Sequence, residues 1–251
     1  MLTGSADGYL KIYDVKTGGV KRLLQISNLS LTSIAEMNET NSVVIGSANN
    51  KMYLLNTTLG KATSSFEAHE DSIVGIFYSQ KLNKVISDGA DSVYKVWDVN
   101  KKMAIQSYFD TDSQIVTCDY RDEDSMHICI DTDGALAIRS LSPDKLVFKL
   151  NLESSSFYCA RFDKNDLNKY YISSENGLDI YDIRMNRIID TATDWNDMKY
   201  FINGYTYFFV DSQNDEKLSL REYEKYDSYV KKYDQFGNVS HIFGGIFQKQ
   251  K

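Results

Sequence analysis

Val85-Ile86-Ser87-Asp88-Gly89-Ala90-Asp91-Ser92-Val93-Tyr94-Lys95-Val96-Trp97-Asp98 decides the reading of this chain. The stretch opens on a short apolar run and passes through turn-forming residues at Asp88, Gly89, Asp91 and Ser92. It leaves in alternation, ending at Trp97-Asp98. Two such runs around a tight turn predict a β-hairpin. The position of Asp98 recurs at Asp14, Asn56, Ser140 and Asp182, each 42 residues from the next. Met1 to Asp14, Val43 to Asn56 and His127 to Ser140 overlay the reference stretch without a gap. Tyr170 to Asp182 is one residue short at its turn, and Tyr207 to Glu222 carries a longer turn. A period near 42 with four short strands per unit is the signature of propeller blades.

Composition agrees with an all-β chain. A chain of 251 residues suits one closed β domain, which buries roughly 70 to 75% of its unfolded surface. Its 18 Tyr and 12 Phe suit strands covered on both faces, and the one proline, Pro143, leaves the ladders intact. No apolar run approaches the roughly 20 residues that span a bilayer, and the N-terminus lacks the basic and apolar regions of a signal peptide. Cys118, Cys129 and Cys159 fall inside predicted strands. Their odd number without close pairs is no disulfide framework, so they are expected to be buried thiols of a cytoplasmic protein. Glycosylation-like triplets at Asn28, Asn38, Asn56 and Asn238 carry no weight without a secretory signal.

Taken in order, residues 1 to 26 supply strands b, c and d of a first blade without its strand a. Blade two is expected from Leu29 to Phe66, blade three from Ile73 to Phe109 and blade four from Ile115 to Leu152. Blade five follows from Phe157 to Ala192, and a degraded blade six from Met198 to about Tyr233. Residues 239–247 read as one more strand. Supplied to the first blade as its strand a, they close a single six-bladed domain over 1–251 and remove two exposed edges. The alternative is the start of a seventh blade.

The unit resembles the WD repeat. Ala68-His69, Ser87, Asp91 and Trp97-Asp98 fill the family's Gly-His, strand b, turn Asp and Trp-Asp positions. The resemblance implies a structural clamp in which Trp97 bonds Ser87, Ser87 bonds His69 and His69 bonds Asp91. Burying such donors and acceptors without partners costs roughly 1 to 3 kcal/mol each. Tyr13, Leu55, Arg139 and Tyr181 stand where Trp97 does and no other copy has a His69, so those blades are expected to rely mainly on apolar packing. A finer likeness runs through Ser5-Ala6-Asp7-Gly8-Tyr9-Leu10-Lys11-Ile12-Tyr13, Ile26 to Ser33, Val44 to Tyr53 and His69 to Val74. These stretches resemble the C-terminal WD repeats of BEACH-domain proteins of the type of the factor associated with neutral sphingomyelinase activation. That resemblance implies a docking platform near membranes, peripheral to them through upstream domains not present here, and a C-terminal fragment or a shortened gene product.

Catalytic and cofactor chemistry find no footing in the sequence. His69, His127 and His241 lie far apart, metal-ligand spacings are missing, and no Gly-rich strand-to-helix turn is present to cradle phosphate. No catalytic residue, cofactor or metal is therefore expected. The net charge of −7 hides a layout that the resemblance makes meaningful. On a WD propeller one rim carries the b-to-c turns and d-to-a connections. Here that rim holds Glu67, Glu70, Asp71, Asp88, Asp91, Asp110, Asp112, Asp131, Asp133, Glu153, Glu175, Asp194, Asp197, Asp211, Asp215 and Glu216 against little more than Lys51 and Lys217, while lysines and arginines gather on the other. Such a field attracts basic segments and repels nucleic acid. The expectation is a non-catalytic scaffold that binds protein or peptide, such as a receptor tail or a membrane-traffic protein, with neither nucleic-acid binding nor membrane insertion. Glu70, Asp71, Asp112 and Asp194 are candidate rim contacts, with Trp195 as an apolar anchor. Two alternatives remain open: a substrate receptor of a cullin-type ubiquitin ligase, since Tyr181-Asp182-Ile183-Arg184 resembles the Trp-Asp-x-Arg box, and a propeller-type hydrolase.

Overall fold

A computed structural model describes residues 1–14, 16–37, 41–163, 166–192, 198–203, 206–211 and 218–222. Among these residues there are 22 strands and no helix. The chain divides into two compact units, Met1–Asp131 with Ala135–Leu150, and Thr132–Gly134 with Asn151–Lys251.

The first unit holds four antiparallel sheets. The first is three-stranded, β1 (Leu2–Gly4), β2 (Tyr9–Tyr13) and β3 (Val20–Gln25). The second is β4 (Leu31–Met37), β5 (Ser42–Ser47), β6 (Lys51–Asn56) and β7 (Lys61–Glu67), and the third is β8 (Ile73–Ser79), β9 (Lys84–Gly89), β10 (Tyr94–Asp98) and β11 (Met103–Tyr108). The fourth is β12 (Ile115–Arg121), β13 (Met126–Asp131), β14 (Ala135–Leu141) and β15 (Asp144–Asn151). Each is a meander in chain order, because every connection is short enough only for a hairpin. The reference stretch forms the expected hairpin, with Asp88 opposite Tyr94 and Val85 opposite Trp97.

The period is written into the backbone as well as the side chains. Gly8, Asn50, Ser92 and Gly134, 42 apart, all turn the b-to-c hairpin with positive φ. Asn41, Asn83 and Ser125 do so between strands a and b, and Gly18, Gly60 and Lys102 between c and d. Glycine at position 8 is obligatory for space too, since a Cβ there would lie 2.1 Å from the Ser27 carbonyl oxygen.

Neighbouring sheets pack face to face: β1 lies against β4, β4 and β5 against β8, and β8 and β9 against β12. Three apolar cores result. Leu10, Leu31, Val43, Ile45 and Leu55 fill the first joint. Val44, Met52, Ile73, Ile76, Val85 and Trp97 fill the second, and Ile86, Tyr94, Val96, Ile115, Cys118 and Cys129 the third. The inner strands are buried on both faces, so they read as continuous apolar runs such as Val43-Val44-Ile45.

In the second unit, β16 (Phe157–Phe162), β17 (Lys169–Ser174), β18 (Gly177–Asp182) and β19 (Arg187–Ala192) form a four-stranded meander. β20 (Met198–Asn203), β21 (Thr206–Asp211) and β22 (Leu218–Glu222) form a three-stranded one, with β20 packed on β16 and β17. Among the described residues the fold is all-β, with four four-stranded and two three-stranded antiparallel sheets, and is of the WD40 propeller type. The segment 239–247, expected to complete the first sheet, lies outside the described residues, as does the end of the sixth expected blade.

Candidate functional site

The loop between β7 and β8 carries His69 over the third sheet, where it meets side chains of β9, β10 and the turn between them. Trp97 Nε1 donates to Ser87 Oγ at 2.8 Å, and Ser87 Oγ lies 2.7 Å from His69 Nε2. His69 Nδ1 lies 2.9 and 3.1 Å from the two oxygens of Asp91. The indole only donates and the carboxylate only accepts, so a neutral imidazole protonated at Nδ1, taking the Ser87 proton at Nε2, completes the chain without a mismatch. Asp91 also accepts the amides of Glu70 at 2.8 Å and Val93 at 3.3 Å. Burial pushes its carboxyl up, but the His69 and amide bonds outweigh it and hold the group below its ordinary value. The arrangement also depends on Gly89, which the sequence marks only as a turn residue: a Cβ there would fall 2.2 Å from Asp91 Oδ1 and 2.3 Å from His69 Nδ1.

The two other joints of the first unit are filled mainly by apolar side chains, as expected, and each also keeps a polar network of its own chemistry. Ser27, 42 residues before His69, is buried and lies 2.9 Å from Ser47 Oγ. It also accepts Asn49 Nδ2 at 3.0 Å. Between the third and fourth sheets, Arg139 takes the Trp97 position and grips both oxygens of Asp110 at 2.8 Å, reaching Asp144 at 2.9 Å. Its guanidinium sits over the Tyr108 ring, 4.7 Å from the centroid, and Tyr94 donates its hydroxyl to Asp110. Burial and the neighbouring carboxylate push the Tyr94 phenol far up, while Arg139 and Tyr94 hold Asp110 down against its own burial. Beneath this, His127 Nε2 lies 2.8 Å from Asp88 Oδ1, both side chains being almost fully buried, and its ring stacks on Tyr94 at 4.1 Å. Asp88 Oδ2 and His127 Nδ1 find no hydrogen-bond partner among the described residues.

These networks absorb much of the acidic layout expected on the rim. Asp88 and Asp131 are buried, and Asp91 and Asp110 are bonded within the joints. Asp131 accepts the amides of Ser113 and Ala135 at 3.2 and 2.8 Å. Of the candidate contacts, Glu70 is exposed and its carbonyl accepts Asn50 Nδ2 at 3.0 Å. Asp71 is half-buried and caps the Ser72 amide at 2.6 Å. The Asp112 side chain is 90% exposed, 3.2 Å from Lys149 Nζ. Asp194 and Trp195 lie outside the described residues.

The same rim carries apolar residues that the sequence reading missed. In β4, β8 and β12 the register skips one residue after the first, leaving Thr32, Val74 and Val116 as bulges 42 apart. Val116 is 37% exposed. Leu29, in the connection before β4, is 46% exposed and Phe109, in the one before β12, is 74% exposed. The period was visible, but the bulge that leaves Val116 exposed was not.

In the second unit Arg184 is exposed and bonds Asp182 through NH2 at 2.7 Å, which brings the Asp182 carboxyl down to about 2. Among the described residues no group of three or more His, Cys, Asp or Glu is placed to hold a metal ion, and no helix is long and apolar enough to cross a membrane.

No protein-family model matches the chain. Sequence comparison finds similarity to three WD-repeat proteins. The chain is 28% identical over 112 residues to Protein tipD of Dictyostelium discoideum, covering 43% of this chain and 18% of that protein. It is 21% identical over 195 residues to Autophagy-related protein 16 of Arabidopsis thaliana, covering 76% and 38%. It is 22% identical over 109 residues to Target of rapamycin complex subunit LST8 of Saccharomyces cerevisiae, covering 43% and 36%. The chain thus spans less than two fifths of the length of each of these relatives. What it shares with them is the WD-repeat likeness, and with it the general character of a protein-interaction scaffold.

Proposed function

We propose that this chain is a non-catalytic docking module whose rim of b-to-c turns and d-to-a connections receives a basic peptide or protein segment. One observation carries the reading: Phe109 stands 74% exposed on that rim, with Leu29 and Val116 also exposed, in a unit whose turn polar groups are otherwise largely bonded internally. An exposed aromatic with Asp112 three residues on, and Glu70 exposed in the connection before β8, supplies an apolar anchor and a charge preference. The test is an array of lysine- and arginine-bearing peptides probed with labelled protein. Phe109→Ala and the triple variant Glu70→Lys, Asp71→Lys, Asp112→Lys are expected each to lose most bound peptides, and unchanged binding by both overturns the assignment.

At a finer level, the resemblance from Ser5 to Val74 supports an adaptor of the BEACH type in membrane-associated signalling or traffic. A relative named for autophagy supports the traffic setting. A BEACH-encoding reading frame directly upstream in the genome would establish it, and an unrelated upstream frame would remove it. A second reading is favoured by Arg184, whose side chain is 65% exposed at the Tyr181-Asp182-Ile183-Arg184 box. A cullin-ligase adaptor that co-purifies with the chain, and is lost with Arg184→Ala, would bring that reading forward.

A further inference from the structure

The three cysteines are far apart in sequence, and all are reduced and buried. The register brings two of them together. Cys118 on β12 stands directly opposite Cys129 on β13, in the ladder that also pairs Tyr120 with His127. Directly opposed residues of an antiparallel pair point to the same face, and both cysteines belong to the core between the third and fourth sheets. Opposed Cα atoms lie about 4.5 to 5.5 Å apart, inside the roughly 4.4 to 6.8 Å that a disulfide spans. Their Cβ atoms, about 4.5 to 5.5 Å apart, sit at or just beyond the bonded range of about 3.5 to 4.5 Å. A bond here is therefore within reach with at most a small approach of the two strands.

The third sheet controls access. Cys129 is 0% exposed and Cys118 4%. The backbone of β8 sits on the Cys118 sulfur so closely that a Cβ on Gly75 would lie 2.3 Å from Sγ. Burial, then the carboxylates of Asp88, Asp110 and Asp131, push the Cys129 thiol well up, so the nucleophilic thiolate is suppressed while the joint is packed. The same joint carries the two orphaned atoms of Asp88 and His127.

We propose that Cys118 and Cys129 form a reversible dithiol–disulfide site, oxidised by a small disulfide of the glutathione class when the third sheet loosens from the fourth. Cys118 loses its proton to water and attacks one sulfur of glutathione disulfide, breaking that S–S bond and releasing one glutathione thiolate, which takes up a proton. Cys129, deprotonated once hydrated, attacks the Cys118 sulfur and expels the second glutathione in the same way. The protein gives up two electrons and two protons, and the reagent becomes two thiols. The inference is independent of the docking rim.

The whole chain is incubated with glutathione disulfide across urea concentrations below its unfolding transition, then digested without reduction and mapped by mass spectrometry. The expected product lacks two hydrogens and links the Cys118 and Cys129 peptides. It forms at least tenfold faster in sub-denaturing urea than in buffer, and Cys159→Ser retains it. Phenylarsine oxide, which bridges close dithiols, is expected to block the reaction. Cys118→Ser and Cys129→Ser should each leave a single mixed disulfide instead, and wild type supplies the link directly should either variant fail to fold. A bridge to Cys159, separate glutathione adducts on both cysteines, or no oxidation before the unfolding transition overturns the proposal.

Discussion

The second and third joints of the first unit bury polar groups in opposite ways. Around Trp97, each donor finds an acceptor and the chain of bonds ends on a carboxylate that is partly solvated and held by backbone amides. Around His127, a fully buried imidazole and carboxylate share one bond and leave an atom each with nothing to bond among the described residues. A satisfied network rigidifies, whereas a partly satisfied one spends stability, because low polarity magnifies both outcomes. Removing one partner should cost stability at either joint, and more at the buried pair, whereas replacing both partners of that pair by apolar groups should recover what the single change loses.

The largest effect is expected from His127→Phe alone, which strands the Asp88 carboxylate in the core. Breaking a buried pair from one side costs about 3 to 5 kcal/mol, read as a lowered urea midpoint at constant slope. Trp97→Phe comes next, at roughly 1 to 3 kcal/mol, because Ser87 loses its donor and the chain to His69 is broken at its head. A melting curve unmoved by that change would remove the clamp from the stability of the fold. The double variant Asp88→Leu with His127→Phe sharpens the contrast: replacing both partners with apolar groups should return stability to within about 1 kcal/mol of wild type or above it. If it stays as low as the single variant, the buried pair is net favourable and the contrast between joints fails.

The smallest predicted effect concerns acid. Asp91 and Asp110 are both held below their ordinary values in the folded chain, so each lends stability that is complete above the unfolded carboxylate value of about 3.9. That stability drains away as pH falls from there through their lower native values. Asp91→Asn and Asp110→Asn should each flatten the acid limb of a stability curve below pH about 4, measured by urea midpoints in a pH series. An acid limb equally steep in both variants would show that their bonds to His69 and Arg139 contribute nothing to it.

How much of this was legible in the sequence follows from the distance over which each feature is written. The hairpins and their period were readable because turn chemistry and alternation are local, whereas the clamp residues His69, Ser87, Asp91 and Trp97 came from the resemblance to the WD repeat and not from any spacing. The His127–Asp88 pair spans 39 positions and Arg139–Asp110 spans 29, crossing from one sheet to the next. No local pattern marks them, since Asp88 and Asp110 look like ordinary turn acids until the neighbouring sheet is in place. That is also why the acidic rim was overdrawn. Val116 was missed for a different reason, since alternation predicts which face a strand residue takes only while the pleat is unbroken, and Phe109 and Leu29 lie in connections, where no alternation applies.

That break in the pleat, repeated at Thr32, Val74 and Val116, has an evolutionary reach. It places one residue of each sheet's first strand outside the alternation that its neighbours follow. At exposed Thr32 and Val116 substitution is loosely tied to packing, while Val74 still packs against the third core, so two of the three repeated positions leave recognition room to drift while the scaffold stays constant. A protein family assembled this way can change what it binds one letter at a time.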